Sequence, residues 1–137
     1  MDNCLLHYHF AAEAANLKDM REQVRGILLN NGFDDAEAER VILGLNEACM
    51  NIIEHAYGRE YHGDIILNIT DQGDCLKFDV IDFAPPIDPD QVRPRDLEEI
   101  RPGGLGVHFI NEIMDEVQFG TPPGNVGNLL QMRKQKP

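Results

Sequence analysis

Asn46-Glu-Ala-Cys-Met-Asn-Ile-Ile-Glu-His-Ala-Tyr57 is the stretch on which the reading of this chain turns. It closes a longer region, roughly 35–57, in which Val41, Ile42, Leu45, Ala48, Cys49, Ile52, Ile53 and Ala56 recur at helical spacing. Successive helix residues turn by about 100°, so these side chains form one apolar stripe and predict an amphipathic helix. Asp34 or Asp35 can cap its start, and Gly58 is expected to end it. On the same wheel Gly44, Glu47, Asn51 and His55 form a second stripe that borders the apolar one. Glu47 and Asn51 are one turn apart and can address one ligand. The carboxylate can accept a proton from a hydroxyl or a water. The amide oxygen is a neutral hard ligand for Mg²⁺, which otherwise keeps waters and substrate phosphates. Gly44 would let a bulky group approach the backbone. A Glu and an Asn on a helix flank are by themselves weak evidence, since most such pairs are only solvated. His55 reads better as a boundary histidine bonding a carbonyl than as a ligand or phosphoacceptor.

Working outward, residues 4–10 place Leu6, Tyr8 and Phe10 on one face and Leu5, His7 and His9 on the other, the alternation of an edge strand. Residues 12–30 carry Leu17, Met20, Val24, Ile27 and Leu28 at helical spacing, and Asn30-Asn31-Gly32 stops that helix. Downstream, strands are expected at Asp64–Thr70 and Cys75–Ile81, joined by a hairpin turn over Asp71-Gln-Gly-Asp74. The Pro-rich, charged stretch 83–103 reads as a functional loop. A helix is expected from Gly103-Gly104-Leu105-Gly106 through Val107, Ile110, Ile113 and Met114. Glu116–Phe119 and Asn128–Arg133 complete the pattern as a closing pair of strands around Thr121-Pro-Pro-Gly124. Mainly antiparallel strands with helices to cover one face predict a two-layer α+β sandwich.

The chain has 137 residues, 42% of them hydrophobic, enough for one packed domain spanning 1–137. No apolar run is long enough to span a bilayer, and the N-terminal residues do not read as a signal peptide. Twelve Lys and Arg against 24 Asp and Glu leave a net charge of −12, which disfavours direct contact with nucleic acid or anionic membranes. A nucleotide is not excluded by that charge, because backbone N–H groups, a helix N-terminus and a metal ion can hold one. Cys4, Cys49 and Cys75 are odd in number and unpaired in spacing, which points to a reducing, cytoplasmic setting.

Two further places carry chemistry. Asp82 closes an apolar strand and can accept a hydrogen bond from an exocyclic amine such as adenine's, rejecting a base that presents a carbonyl there. A turn-initiating Asp is the plainer reading of that residue alone. Gly103-Gly104-x-Gly106 precedes a helix, where small residues let the backbone approach phosphates and the helix start supplies free N–H donors. The spacing matches neither a Rossmann fingerprint nor a P-loop.

Taken in order, these segments resemble a known family. Residues 46–57 resemble the asparagine box of the GHKL ATPase superfamily, in the wording of its anti-sigma factor serine/threonine kinases. Val80-Ile-Asp82 with its Pro-rich sequel resembles that branch's first glycine box. Gly103 to Phe119 resembles the second, and Gly127-Asn-Leu-Leu-Gln-Met-Arg-Lys134 the closing strand. The resemblance implies a Bergerat fold with a mixed, mainly antiparallel sheet and ATP held under a lid at 88–102. It implies Glu47 as general base, Asn51 as Mg²⁺ ligand at the nucleotide, and Asp82 as reader of the adenine amine. Gly103, Gly104, Leu105 and Gly106 would bind the phosphates. It further implies transfer of the γ-phosphoryl group to a serine or threonine of a STAS-domain antagonist, with a sigma factor or other regulator as second client, commonly by a homodimer. One departure is Ala84, where the first box usually has glycine; it favours the alternative of a module that binds ATP or a partner and transfers nothing. The chain lacks a separate helix pair carrying a phosphoacceptor histidine, which argues against a two-component histidine kinase.

Overall fold

The computed structural model describes residues 2–57, 63–84, 110–122 and 127–137. The elements are β1 (Asn3–Ala11), a 3₁₀ turn (Ala14–Asn16), α1 (Leu17–Asn30), α2 (Asp35–Asn51), a π-helical segment (Ile52–Tyr57), β2 (Asp64–Asp71), β3 (Cys75–Asp82), β4 (Glu116–Gly120) and β5 (Asn128–Gln135). A helical stretch at 110–113 precedes β4. The stretch 88–102 expected as a lid, Gly58, and Gly103, Gly104, Leu105 and Gly106, expected to bind phosphates, lie outside the described residues, as does the side chain of His55.

The turn between α1 and α2 shows how local sequence sets the helix layer. Phe33 N–H donates to Leu28 O (3.1 Å) and Gly32 N–H to Leu29 O (3.3 Å). Together with Gly32 at φ +90°, this is the paired-bond ending in which a left-handed residue closes a helix. Phe33 and Leu28 both join the core. Two residues on, Asp34 accepts from Glu37 N–H at 2.8 Å and caps α2. Asp34→Ala is therefore expected to cost about 1 kcal/mol, read as a lower urea midpoint at unchanged slope.

The five strands form one sheet in the order β1-β2-β3-β5-β4, antiparallel at every described pairing. The expected α+β sandwich is what forms. α1 buries Leu17, Met20, Val24 and Leu28, and α2 buries Val41, Ile42, Leu45, Ala48 and Cys49, against Ile65, Leu67, Ile69, Leu76, Phe78, Val80 and Met132 of the sheet. The β2–β3 turn falls where expected. Gly73 takes φ +93°, its N–H bonded to Asp71 Oδ1 (2.9 Å). Lys136 bonds the same carboxylate (2.8 Å); that bond first, then the Gly73 N–H, holds the Asp71 carboxyl below its usual range.

Three expectations are corrected. The helix at 12–30 starts with a 3₁₀ turn, so α-helical geometry begins at Leu17. The helix at 35–57 keeps α geometry only to Asn51 and continues as a π-helical segment. Leu5, expected on the His face of β1, packs against the core with Leu6 and Tyr8. The register slips between Cys4 and Leu6, and such a bulge turns one residue out of strict alternation.

Candidate functional site

The site residues that the structure describes fall into two groups, one on α2 and one at the end of β3. On α2 lie three members of the expected stripe, Gly44, Glu47 and Asn51, in different environments, while His55 falls in the π-helical segment. Gly44 is buried, and a Cβ placed there would lie 3.7 Å from Ile110 Cγ1 and 3.8 Å from Ile113 Cδ1. The bulky groups that approach Gly44 are thus these two isoleucines. Those distances are ordinary van der Waals contact, and alanine exceeds glycine in helix propensity by about 1 kcal/mol. Gly44→Ala is expected to raise the melting temperature modestly and leave ATP affinity unchanged. A drop in ATP affinity would instead place the nucleotide against α2 at this position.

The 110–113 helical stretch is itself anchored. Lys134 Nζ donates to Ile113 O (2.8 Å), meeting a helix-terminal carbonyl with a cation. Asp115 N–H bonds Arg133 O (2.9 Å), and Asp115 Oδ2 accepts from Gln135 N–H (2.7 Å). These bonds tie the exit of the segment that follows the glycine cluster to β5.

One turn beyond Gly44, Glu47 is exposed. Its carboxylate is open to solvent. Its neighbour Asn46 is occupied structurally, accepting from Arg21 Nη1 at 2.8 Å and joining α2 to α1. Asn51 is half-buried, and its Nδ2 is buried with no hydrogen-bond partner. Leaving a buried amide donor unsatisfied costs about 1–3 kcal/mol, a cost that a ligand accepting from it would relieve. The carboxamide has a donor end and an acceptor end that exchange on a half-turn of the side chain. It therefore fits either a phosphate oxygen or, through its oxygen, a magnesium ion. Among the described residues no three His, Cys, Asp or Glu side chains gather to hold an ion. An ion at Asn51 would then take most of its oxygens from phosphate and water, as Mg²⁺ does in nucleotide sites. Cys49, between these residues, is fully buried, and burial pushes its thiol up to about 12; it is a core residue and not a nucleophile.

The second group surrounds Asp82, which is 4% exposed and is the buried charged side chain of the described residues. Its Oδ1 accepts from Ala84 N–H (3.0 Å) and from Asn128 Nδ2 (3.0 Å). Asn128 opens β5 directly opposite Asp82 in the β3–β5 register. Gly127, at φ +85°, lies so close that a Cβ there would stand 1.9 Å from the Asp82 carbonyl oxygen. Ala84 is 2% exposed and belongs to the core cluster. Its methyl is accommodated and its amide serves the carboxylate, so the departure from glycine leaves Asp82 well held.

Asn128 and Gly127 were given no individual role in the sequence reading. The signal available was an Asn at the first position of a strand whose partner ends in a buried Asp, legible only once the register is known. A shallow cleft lined by Asp74, Cys75, Asp115, Glu116, Arg133 and Gln135 opens at the other end of β3. At ~3.3 Å per residue it lies roughly 23 Å from Asp82 and holds none of the expected site residues.

The family described as histidine kinase-like ATPase domain matches residues 10–134 of the chain. The chain is 31% identical over 117 residues to the serine-protein kinase RsbW of Halalkalibacterium halodurans, covering 78% of this chain and 70% of that protein. Against the protein of the same name from Bacillus cereus strain AH187 it is 30% identical over 116 residues, with 79% and 72% covered. Against that of Bacillus subtilis strain 168 it is 28% identical over 114 residues, with 77% and 71% covered. A five-stranded antiparallel sheet under a helical layer agrees with those matches. The chain belongs to the histidine kinase-like ATPase domain family, among the relatives of serine-protein kinase RsbW.

Proposed function

We propose that this chain is an ATP-dependent serine/threonine-protein kinase that phosphorylates a hydroxyl of a STAS-domain antagonist protein and acts as an anti-sigma-type regulator. The observation that carries the reading is the pair on α2: a buried Asn51 amide without a partner, one turn from an exposed Glu47 carboxylate. An amide of that kind calls for a ligand. A carboxylate beside it, open to solvent, is placed for a hydroxyl arriving on another protein. The relatives named as serine-protein kinases support the same activity.

In this reading Asp82 accepts a hydrogen bond from the adenine amine. Gly103, Gly104, Leu105 and Gly106 offer backbone N–H groups to the phosphates. Asn51 is the residue that would hold Mg²⁺, and the ion supplies neutralisation of phosphate charge when bound. Glu47 receives the proton of the acceptor hydroxyl. Residues 88–102 serve as a lid that keeps water from competing with the acceptor. Backbone dipoles and the ion let a domain of net charge −12 bind a polyanion. The protein acts in the cytoplasm, as a homodimer, and its second client is a sigma factor or other regulator. Among the described residues no helix is long and apolar enough to cross a membrane.

The test is transfer of label from γ-labelled Mg-ATP to each purified STAS-domain protein encoded in the same genome. Acid-stable label on a serine or threonine is expected with one of them. ATP binding without label on any, at partner concentrations that saturate complex formation, would replace the kinase with the non-transferring module.

A further inference from the structure

The Asp82 carboxylate needs more than burial to recognise a base, because it must present a fixed plane. The last torsion of an Asp side chain is broad and roughly two-fold, so its orientation is set by the donors that hold it. Ala84 N–H is a local donor, two residues along the same chain segment, and it follows Asp82 wherever the strand end goes. Asn128 Nδ2 comes from the neighbouring strand, at 3.0 Å on the same oxygen, from the position paired with Asp82 across the β3–β5 ladder. Gly127 brings the start of β5 against the Asp82 main chain. Side chain and backbone of β5 thus register on the same residue.

We propose that Asn128 is a positioning residue that determines base selectivity. By donating to Asp82 Oδ1 it fixes the carboxylate plane so that an amino purine is accepted and an oxo purine is refused. The inference rests on the reading of Asp82 as the group that meets the adenine amine. An oxo purine such as inosine sets a carbonyl acceptor against the carboxylate, an unfavourable meeting of two acceptors. Without Asn128 the carboxylate keeps the Ala84 N–H on Oδ1 but loses the donor that ties it to β5, and with it part of the aligned bond to the amine and of the directed repulsion of the carbonyl. Selectivity should then fall even though Asn128 need not touch the nucleotide.

The readout is the ratio of ATP to ITP affinity, measured on the full chain by titration, with a melting curve for each variant. Asn128→Leu removes the donor at similar volume and is expected to lower the ratio about tenfold, the equivalent of one hydrogen bond to a charged group. Asn128→Ser, with a shorter donor at a half-buried position, is expected to lower it by less. If Asn128→Leu gives no folded chain, the ratio in Asn128→Ser decides. An equal loss for both nucleotides marks a merely structural residue and overturns the proposal, as does an unchanged ratio in a folded variant. Asp82→Asn is measured beside them. If it keeps the wild-type ratio, the reading of Asp82 itself fails. If it collapses the ratio while the Asn128 variants keep it, only the role of Asn128 fails.

Discussion

Glu47→Gln is expected to slow phosphoryl transfer to the acceptor protein by about 10²-fold while ATP affinity stays unchanged, the low end of the range for a general base. The low end follows from the reaction. In a loose transition state the phosphoryl group is largely free of both oxygens, and the acceptor hydroxyl has given up little of its proton. Glutamine keeps the length of the side chain and its helix propensity, and removes only the basic oxygen. Because Glu47 is exposed on α2, its replacement costs no core packing, so the melting temperature should hold. kcat and kcat/KM for the acceptor should fall together, the pattern of an interaction made only in the transition state. Transfer at the wild-type rate would remove Glu47 from the chemistry. A rise in KM alone would make it a docking contact for the acceptor.

The contrast between the two halves of the site shows what a single sequence carries. That Glu47 and Asn51 sit one turn apart on one helix was legible because a helix has one period and one wheel, so residues that are near in sequence are near in space. The helix layer was legible for the same reason, down to the Gly32 stop and a cap at Asp34 or Asp35, a role that falls to Asp34. The strand segments were found by their alternation. Their order in the sheet was not, since the placement of β5 between β3 and β4 depends on a long connection that periodicity cannot describe. Asp82 could be named as a strand-end carboxylate, but its cross-strand partner Asn128 lies more than forty residues on, and no local rule links positions so far apart. Leu5 was assigned to the wrong face because one extra residue in an antiparallel pair resets the alternation without any mark in composition. Gly44 was read as letting a bulky group approach the backbone, and the groups that do so are Ile110 and Ile113. A buried helix glycine reads the same in sequence whether a nucleotide or a neighbouring helix lies over it.

Gly127→Ala is the substitution expected to damage the protein most. Two separate costs meet at this residue. The first is backbone: φ is +85°, a conformation that costs an L-residue with a Cβ about 1–2 kcal/mol. The second is contact: the new Cβ would stand 1.9 Å from Asp82 O and 2.9 Å from Phe83 Cα. Both are main-chain atoms that no rotamer change can move aside, so β5 must shift away from β3 at the Asp82–Asn128 pair. Overpacking of this kind costs a further 1–3 kcal/mol or so. A total near 3 kcal/mol is a large share of the ~5–15 kcal/mol that holds a domain together, and a fall of about 10 °C in melting temperature is expected. Gly73→Ala is the matched control, because Gly73 has φ +93° and nothing within 4 Å of its added Cβ. It carries the backbone cost without the contact, and should lose only about 1–2 kcal/mol. The difference between the two variants isolates the pressure of β5 on Asp82. That pressure also predicts a functional split: Gly127→Ala should weaken ATP binding at temperatures where it is still folded, and Gly73→Ala, at the far turn of the sheet, should not. Equal melting temperatures in the two variants would show that the β3–β5 junction yields to a methyl group, and Asp82 would then owe its placement to its side-chain bonds alone.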